Sequence, residues 1–95
     1  MKLYLSPEAV NDLVRLREFL EDKSPRAAAK AAQVLVQSFD SLLHFPERGR
    51  ISALAFHREL VVPFGNSAYL LRYRYFPSDA RVHVVRVWHG REALD

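Results

Sequence analysis

The sequence predicts an α+β fold of order β-α-α-β-β-β, an antiparallel helical hairpin packed on one face of a small, mainly antiparallel sheet. Two Ser-Pro pairs, Ser6-Pro7 and Ser24-Pro25, each precede a run with apolar residues at helical spacing. Three β-prone runs follow, separated by the turn residues Gly65-Asn66 and Pro77-Ser78-Asp79. The chain has 95 residues and is expected to form one domain, 1–95. That length supports one modest core without disulfides or metals.

Lys2 to Leu5 alternates polar and apolar and reads as a first strand. Ser6 is expected to cap a helix, with Pro7 at its first position and Glu8 at the positive end of the helix dipole. Val10, Leu13, Leu16 or Arg17, and Leu20 form its apolar stripe, and the helix should end near Asp22-Lys23. The second helix starts at Ser24-Pro25 and carries Ala28, Ala32, Leu35, Phe39 and Leu42 on one face as far as about Leu43. Small alanines on that face let a partner helix approach closely. The short gap makes the pair an antiparallel hairpin, which needs a sheet to bury its stripes.

Pro46 and Gly49 mark a loop that continues to about His57. Arg58 to Val62 reads as a strand ending at Pro63, Tyr69 to Tyr75 as a second and Arg81 to Trp88 as a third. In the middle strand Tyr69, Leu71, Tyr73 and Tyr75 share one face, while Leu70, Arg72 and Arg74 share the other. The last strand is assigned with Val85 and Val87 on the core face. Arg86 and Trp88 then join Arg72 and Arg74 on the open face. A bulge would exchange these sets.

Charge is uneven along the chain. Residues 1–45 hold six Lys/Arg and six Asp/Glu; residues 46–95 hold eight arginines and five acids, giving the whole net charge of +3. Arginine suits forked contacts with carboxylate and phosphate, so the C-terminal half is expected to meet an anionic partner. The absence of cysteine excludes thiol chemistry and cysteine-based metal sites, and suits a cytoplasmic protein. No run approaches the length of a membrane span, and the histidines have no local ligand spacing.

Several stretches together resemble the RelE/ParE toxin superfamily of type II toxin–antitoxin systems. They are Phe45-Pro46-Glu47-Arg48-Gly49, Arg58-Glu59-Leu60, the strand 69–75, and the ending Val85-Arg86-Val87-Trp88-His89-Gly90-Arg91-Glu92. The loop and the ending are similar to the ParE branch in particular. That resemblance implies a toxin that inhibits DNA gyrase, meets DNA through the gyrase complex, and is neutralised by a ParD-like antitoxin with an acidic C-terminal segment. It implies no cofactor, no metal and no catalytic residue.

RelE-like members are instead ribosome-dependent mRNA endonucleases, and that is the alternative. Cleavage through a 2′-hydroxyl needs a group to activate it, positive charge on the phosphorane and an acid for the leaving oxygen. This chain has Leu70 where the family's strand arginine aligns, no lysine in 51–57 and no tyrosine at its C-terminus. His57, His83 and His89 are the candidate replacements. An inactive toxin-like binding module is a further alternative. Arg58, Arg72, Arg74 and Arg86 are therefore assigned to antitoxin binding, and Trp88, His89 and Arg91 to the toxic contact.

Overall fold

In the computed structural model, which describes residues 1–92, both Ser-Pro pairs start helices. The Ser6 hydroxyl accepts from the Ala9 N–H and opens α1, Pro7–Lys23; the Ser24 hydroxyl accepts from the Ala27 N–H and opens α2, Pro25–His44. Ser24 also ends α1, its N–H donating to the Leu20 carbonyl, so one residue makes the corner of the hairpin. Both helices satisfy donors that would otherwise be orphaned at their first turns.

The sheet has five strands, one more than the sequence predicts: β1 (Lys2–Leu5), β2 (Arg50–Ile51), β3 (Arg58–Phe64), β4 (Ser67–Phe76) and β5 (Arg81–His89). Their spatial order is β1-β5-β4-β3-β2, with β1 parallel to β5 and all other pairs antiparallel. The extra strand is two residues inside the predicted 45–57 loop, too short for any period to show. Gly65, at φ +60°, makes the two-residue turn between β3 and β4, where a side chain would be strained.

The Pro46–Gly49 loop is latched to the core by Tyr73. The phenol hydroxyl donates to the Pro46 carbonyl at 2.8 Å and accepts the Gly49 N–H at 2.9 Å. A Cβ on Gly49 would lie 2.6 Å from that hydroxyl, so only glycine fits there. Burial raises the Tyr73 pKa, with the Gly49 N–H opposing.

The core lies between the hairpin and one sheet face. Ala9, Leu16, Ala31, Leu35 and Leu42 from the helices meet Leu60, Val62, Tyr69, Leu71, Tyr73, Val82, Val84 and Val87. The helical stripes differ from expectation at their margins. Val10 and Ala32 are exposed, whereas Ala31 and, notably, Asp12 are buried.

The register of β5 also departs from the expected one. Tyr73 pairs with Val84 but Arg72 pairs with Arg86, so Val85 is the additional residue of a β-bulge. Before it Val82 and Val84 face the core; after it Val87 does. Val85 is therefore not a core residue. His83 lies on the open face, opposite Arg74.

Candidate functional site

Two surfaces stand out, and both involve α1. The first is a groove between the helices. Alanines at 28, 31 and 32 keep α2 thin along the seam, and the side chains above them do not close it. The cavity is about 260 Å³ and almost wholly apolar, walled by Leu13, Val14, Leu20, Ala32, Val36 and Phe39. Val10 and Val14 are exposed at its rim, and Val36 is 63% exposed. Water-facing valines along one groove are an unmet hydrophobic surface.

The second surface is the end of β5. β1 stops at Leu5, where the Ser6 N–H donates to the Val84 carbonyl and the Ser6 hydroxyl to the Val85 carbonyl. Beyond that point α1 runs along β5, and side chains replace the missing strand. Asp12, 2% exposed, accepts the Val87 N–H at 2.8 Å. Arg86 donates to the same carboxylate at 2.8 Å, and Arg15 at 2.7 Å. Glu92 accepts the His89 N–H at 2.8 Å and takes two hydrogen bonds from Arg15, each 3.1 Å. Arg15 thus bridges the two carboxylates that cap the free edge of β5.

The electrostatics follow from this geometry. Burial pushes the Asp12 carboxyl up, but hydrogen bonds from Arg86, Arg15 and the Val87 N–H outweigh it, and the pKa lies below the usual range. Glu92 is held low in the same way, burial being overcome by the His89 N–H and Arg15. The hydrogen bonds to both acids raise the Arg15 pKa.

The arginines assigned to antitoxin binding do not form one patch. Arg58 turns to the helix side and donates to the Glu47 and Gly49 carbonyls. Arg72 lies on the open face, paired with Glu59 at 3.0 Å and stacked over the Trp88 ring at 5.0 Å. Arg86 reaches Asp12. Arg74 lies on the open face between the rings of Phe56 and Phe76. Of the residues assigned to the toxic contact, Arg91 is exposed and His89 half-buried, its ring edge-on to Tyr69. Trp88 is 3% exposed, so it is not presented to a partner as the sequence suggested. It faces the open side, covered in part by Arg72. The three candidate histidines lie apart: His57 in a loop, His83 on the open face of β5, and His89 at its end. Among the described residues no cluster of three or more His, Asp or Glu could hold a metal ion.

This architecture has known counterparts. Residues 3–94 match the sequence profile described as "ParE toxin of type II toxin-antitoxin system, parDE". The chain belongs to the ParE toxin family. Its relatives include Toxin RelE1 of Caulobacter vibrioides, 46% identical over 88 residues, spanning 93% of this chain and 91% of that one. Toxin RelE2 of the same organism is 37% identical over 82 residues, with 86% of each chain covered. The solved structure described as "Chromosomal ParDE TA system from P. aeruginosa" has the same fold, with a TM-score of 0.78 at 21% identity over 94% of this chain and 95% of that one.

In this ParE-family toxin the sequence reading missed the groove rim and the capping network. The signals were present. Apolar residues at 9, 10, 13, 14, 16 and 20 cover more of α1 than one buried stripe requires. Asp12 falls three residues from Ala9 and four from Leu16, inside the buried arc. An acid at such a position signals a specific buried partner.

Proposed function

We propose that this toxin acts in the cytoplasm by inhibiting DNA gyrase through protein contacts, without nuclease chemistry of its own. In this reading a ParD-like antitoxin neutralises it. The observation that carries the proposal is what the surfaces offer. Arg72 is engaged by Glu59, Arg86 by Asp12, and Arg58 by loop carbonyls. Among the open features are an apolar groove and an anchored basic end, which suit protein partners. The groove takes the apolar side of an amphipathic antitoxin segment, and acidic residues of that segment meet Arg17 at its margin. His89 and Arg91 meet the target, held in place by Glu92.

The test is supercoiled plasmid relaxation and cleavage by purified gyrase with added toxin. Trapped cleaved DNA is the expected result, and Arg91→Ala should reduce it. Intact plasmid and full supercoiling at saturating toxin would sink the gyrase reading. The RelE names of the relatives favour a second reading, ribosome-dependent mRNA cleavage. It predicts rapid mRNA fragmentation after induction, with chromosomal DNA intact.

A further inference from the structure

A line of rings and cations crosses the sheet face opposite the helices. The Tyr4 ring meets His83 edge-on at 5.3 Å, and His83 meets Phe76 at 5.0 Å. The Arg74 guanidinium lies 4.7 Å from the Phe76 ring and 5.8 Å from the Phe56 ring, while Arg81 approaches Phe76 at 5.0 Å. Three strands at about 4.8 Å spacing place this line across roughly 10 Å, room for two or three nucleotides.

Two features separate this line from an ordinary basic surface. Phe56 is 85% exposed and sits at φ +65°, a conformation unfavourable for a bulky residue. A tight loop imposes it: Ser52 N–H donates to the His57 carbonyl, His57 N–H to the Leu54 carbonyl, and Leu54 N–H to the Ser52 hydroxyl. The chain is thus held in a strained form that points an aromatic ring at solvent beside Arg74. Second, Arg74 has no carboxylate partner among the described residues, whereas Arg72 pairs with Glu59 and Arg81 with Asp79. The Phe56 and Phe76 rings lie against its guanidinium, whose charge is left for an anion.

We propose that this face binds single-stranded nucleic acid, with phosphate on Arg74 and bases stacked on Phe56 and Tyr4. Unpaired bases supply π-faces that a duplex hides and that an acidic peptide lacks, and cations between aromatic platforms suit a polynucleotide strand. Neither contact reads the base edge or the sugar, so binding tolerates any sequence and both DNA and RNA. The inference concerns binding without cleavage. It stands whether or not gyrase is the target.

The experiment is fluorescence anisotropy of the full chain with a fluorescein-labelled single strand of about 12 mixed-sequence nucleotides, as DNA and as RNA, at about 50 and 200 mM salt. Both should bind, more weakly at higher salt. Phe56→Ala and Arg74→Ala should each weaken binding about tenfold, and Arg74→Ala should also lower the salt slope by about one. Arg26→Ala, on the exposed side of α2, should leave binding within about twofold. Thermal melts of Phe56→Ala and Arg74→Ala should match the parent and so tie the losses to the surface. No binding by about 100 μM protein at low salt would overturn the proposal. So would unchanged affinity in Phe56→Ala, or displacement by oligoglutamate as effective as by unlabelled strand, which would mark the face as a dock for acidic protein.

Discussion

The two halves of β5 meet the same backbone requirement by different means. From Arg81 to Val84 the strand lies between β1 and β4, and neutral main-chain groups satisfy both edges. Past the bulge at Val85 there is still β4 on one side, but on the other the Val87 and His89 N–H groups meet the carboxylates of Asp12 and Glu92. A strand edge left open is a template for unwanted pairing. Closing it with side chains leaves the end of β5 free of a neighbouring strand, so its turn and Arg91 reach solvent. The cost is dependence on charge. The first half should be indifferent to acid, and the second should not.

Asp12→Ala should cause the largest change. It removes one buried carboxylate, strands the Val87 N–H and takes a partner from both Arg86 and Arg15. A loss of about 3 kcal/mol is expected in urea unfolding. Asp12→Asn keeps an acceptor for Val87 and should lose less. If Asp12→Ala falls within the error of the parent, the carboxylate is not what closes this edge.

The acid dependence has a definite sign. Both Asp12 and Glu92 have folded-state pKa values below their ordinary ones of 3.8 and 4.5. Their contribution is therefore fully present above the unfolded values and is lost as pH falls through the folded ones. The urea midpoint should drop below about pH 4.5, and the drop should be shallower in Asp12→Asn. A variant with the same slope as the parent would place the acid sensitivity elsewhere.

The paired half gives a smaller, pH-independent effect. The Ser6 hydroxyl caps α1 through the Ala9 N–H and donates to the Val85 carbonyl, where β1 hands β5 over to α1. Ser6→Ala should cost about 1 kcal/mol at neutral pH and at pH 4 alike. A cost that grows with acid would erase the distinction between the halves.

The same contrast explains what could be read from the sequence. Local rules carried the paired parts: Ser6 and Ser24 as caps, Gly65 as a turn and the tyrosine face of β4 all follow from neighbours in the chain. The capped half is long-range. Val84 and Val85 are equally good core residues, and alternation cannot tell which one a bulge sets aside; only the meeting of Asp12 with Val87 decides it. Trp88 went wrong for a related reason. Alternation puts it on the open face and the toxic contact needs an exposed ring, whereas Arg72 lies over it from the adjacent strand. The groove rim was missed because apolar residues on a helix read as core until the packing shows which ones the sheet leaves uncovered.

Glu92→Ala should change stability least and function most. The carboxylate is partly exposed and its ion pair with Arg15 is screened, so the loss should stay below about 1 kcal/mol. Yet Glu92 anchors the His89 N–H and, through Arg15, ties the residues after β5 to α1. Without it the Arg91 backbone loses its fixed position relative to the helix. Growth inhibition on induction should fall markedly while the urea midpoint barely moves. Arg15→Ala, which cuts the same tie from the helix side, should lower toxicity alike but cost more stability, because it also takes a partner from buried Asp12; the double variant should be no worse than either single one in the growth assay. Full toxicity in Glu92→Ala would mean that the residues past β5 act without this anchor, and that the capped edge serves the fold alone.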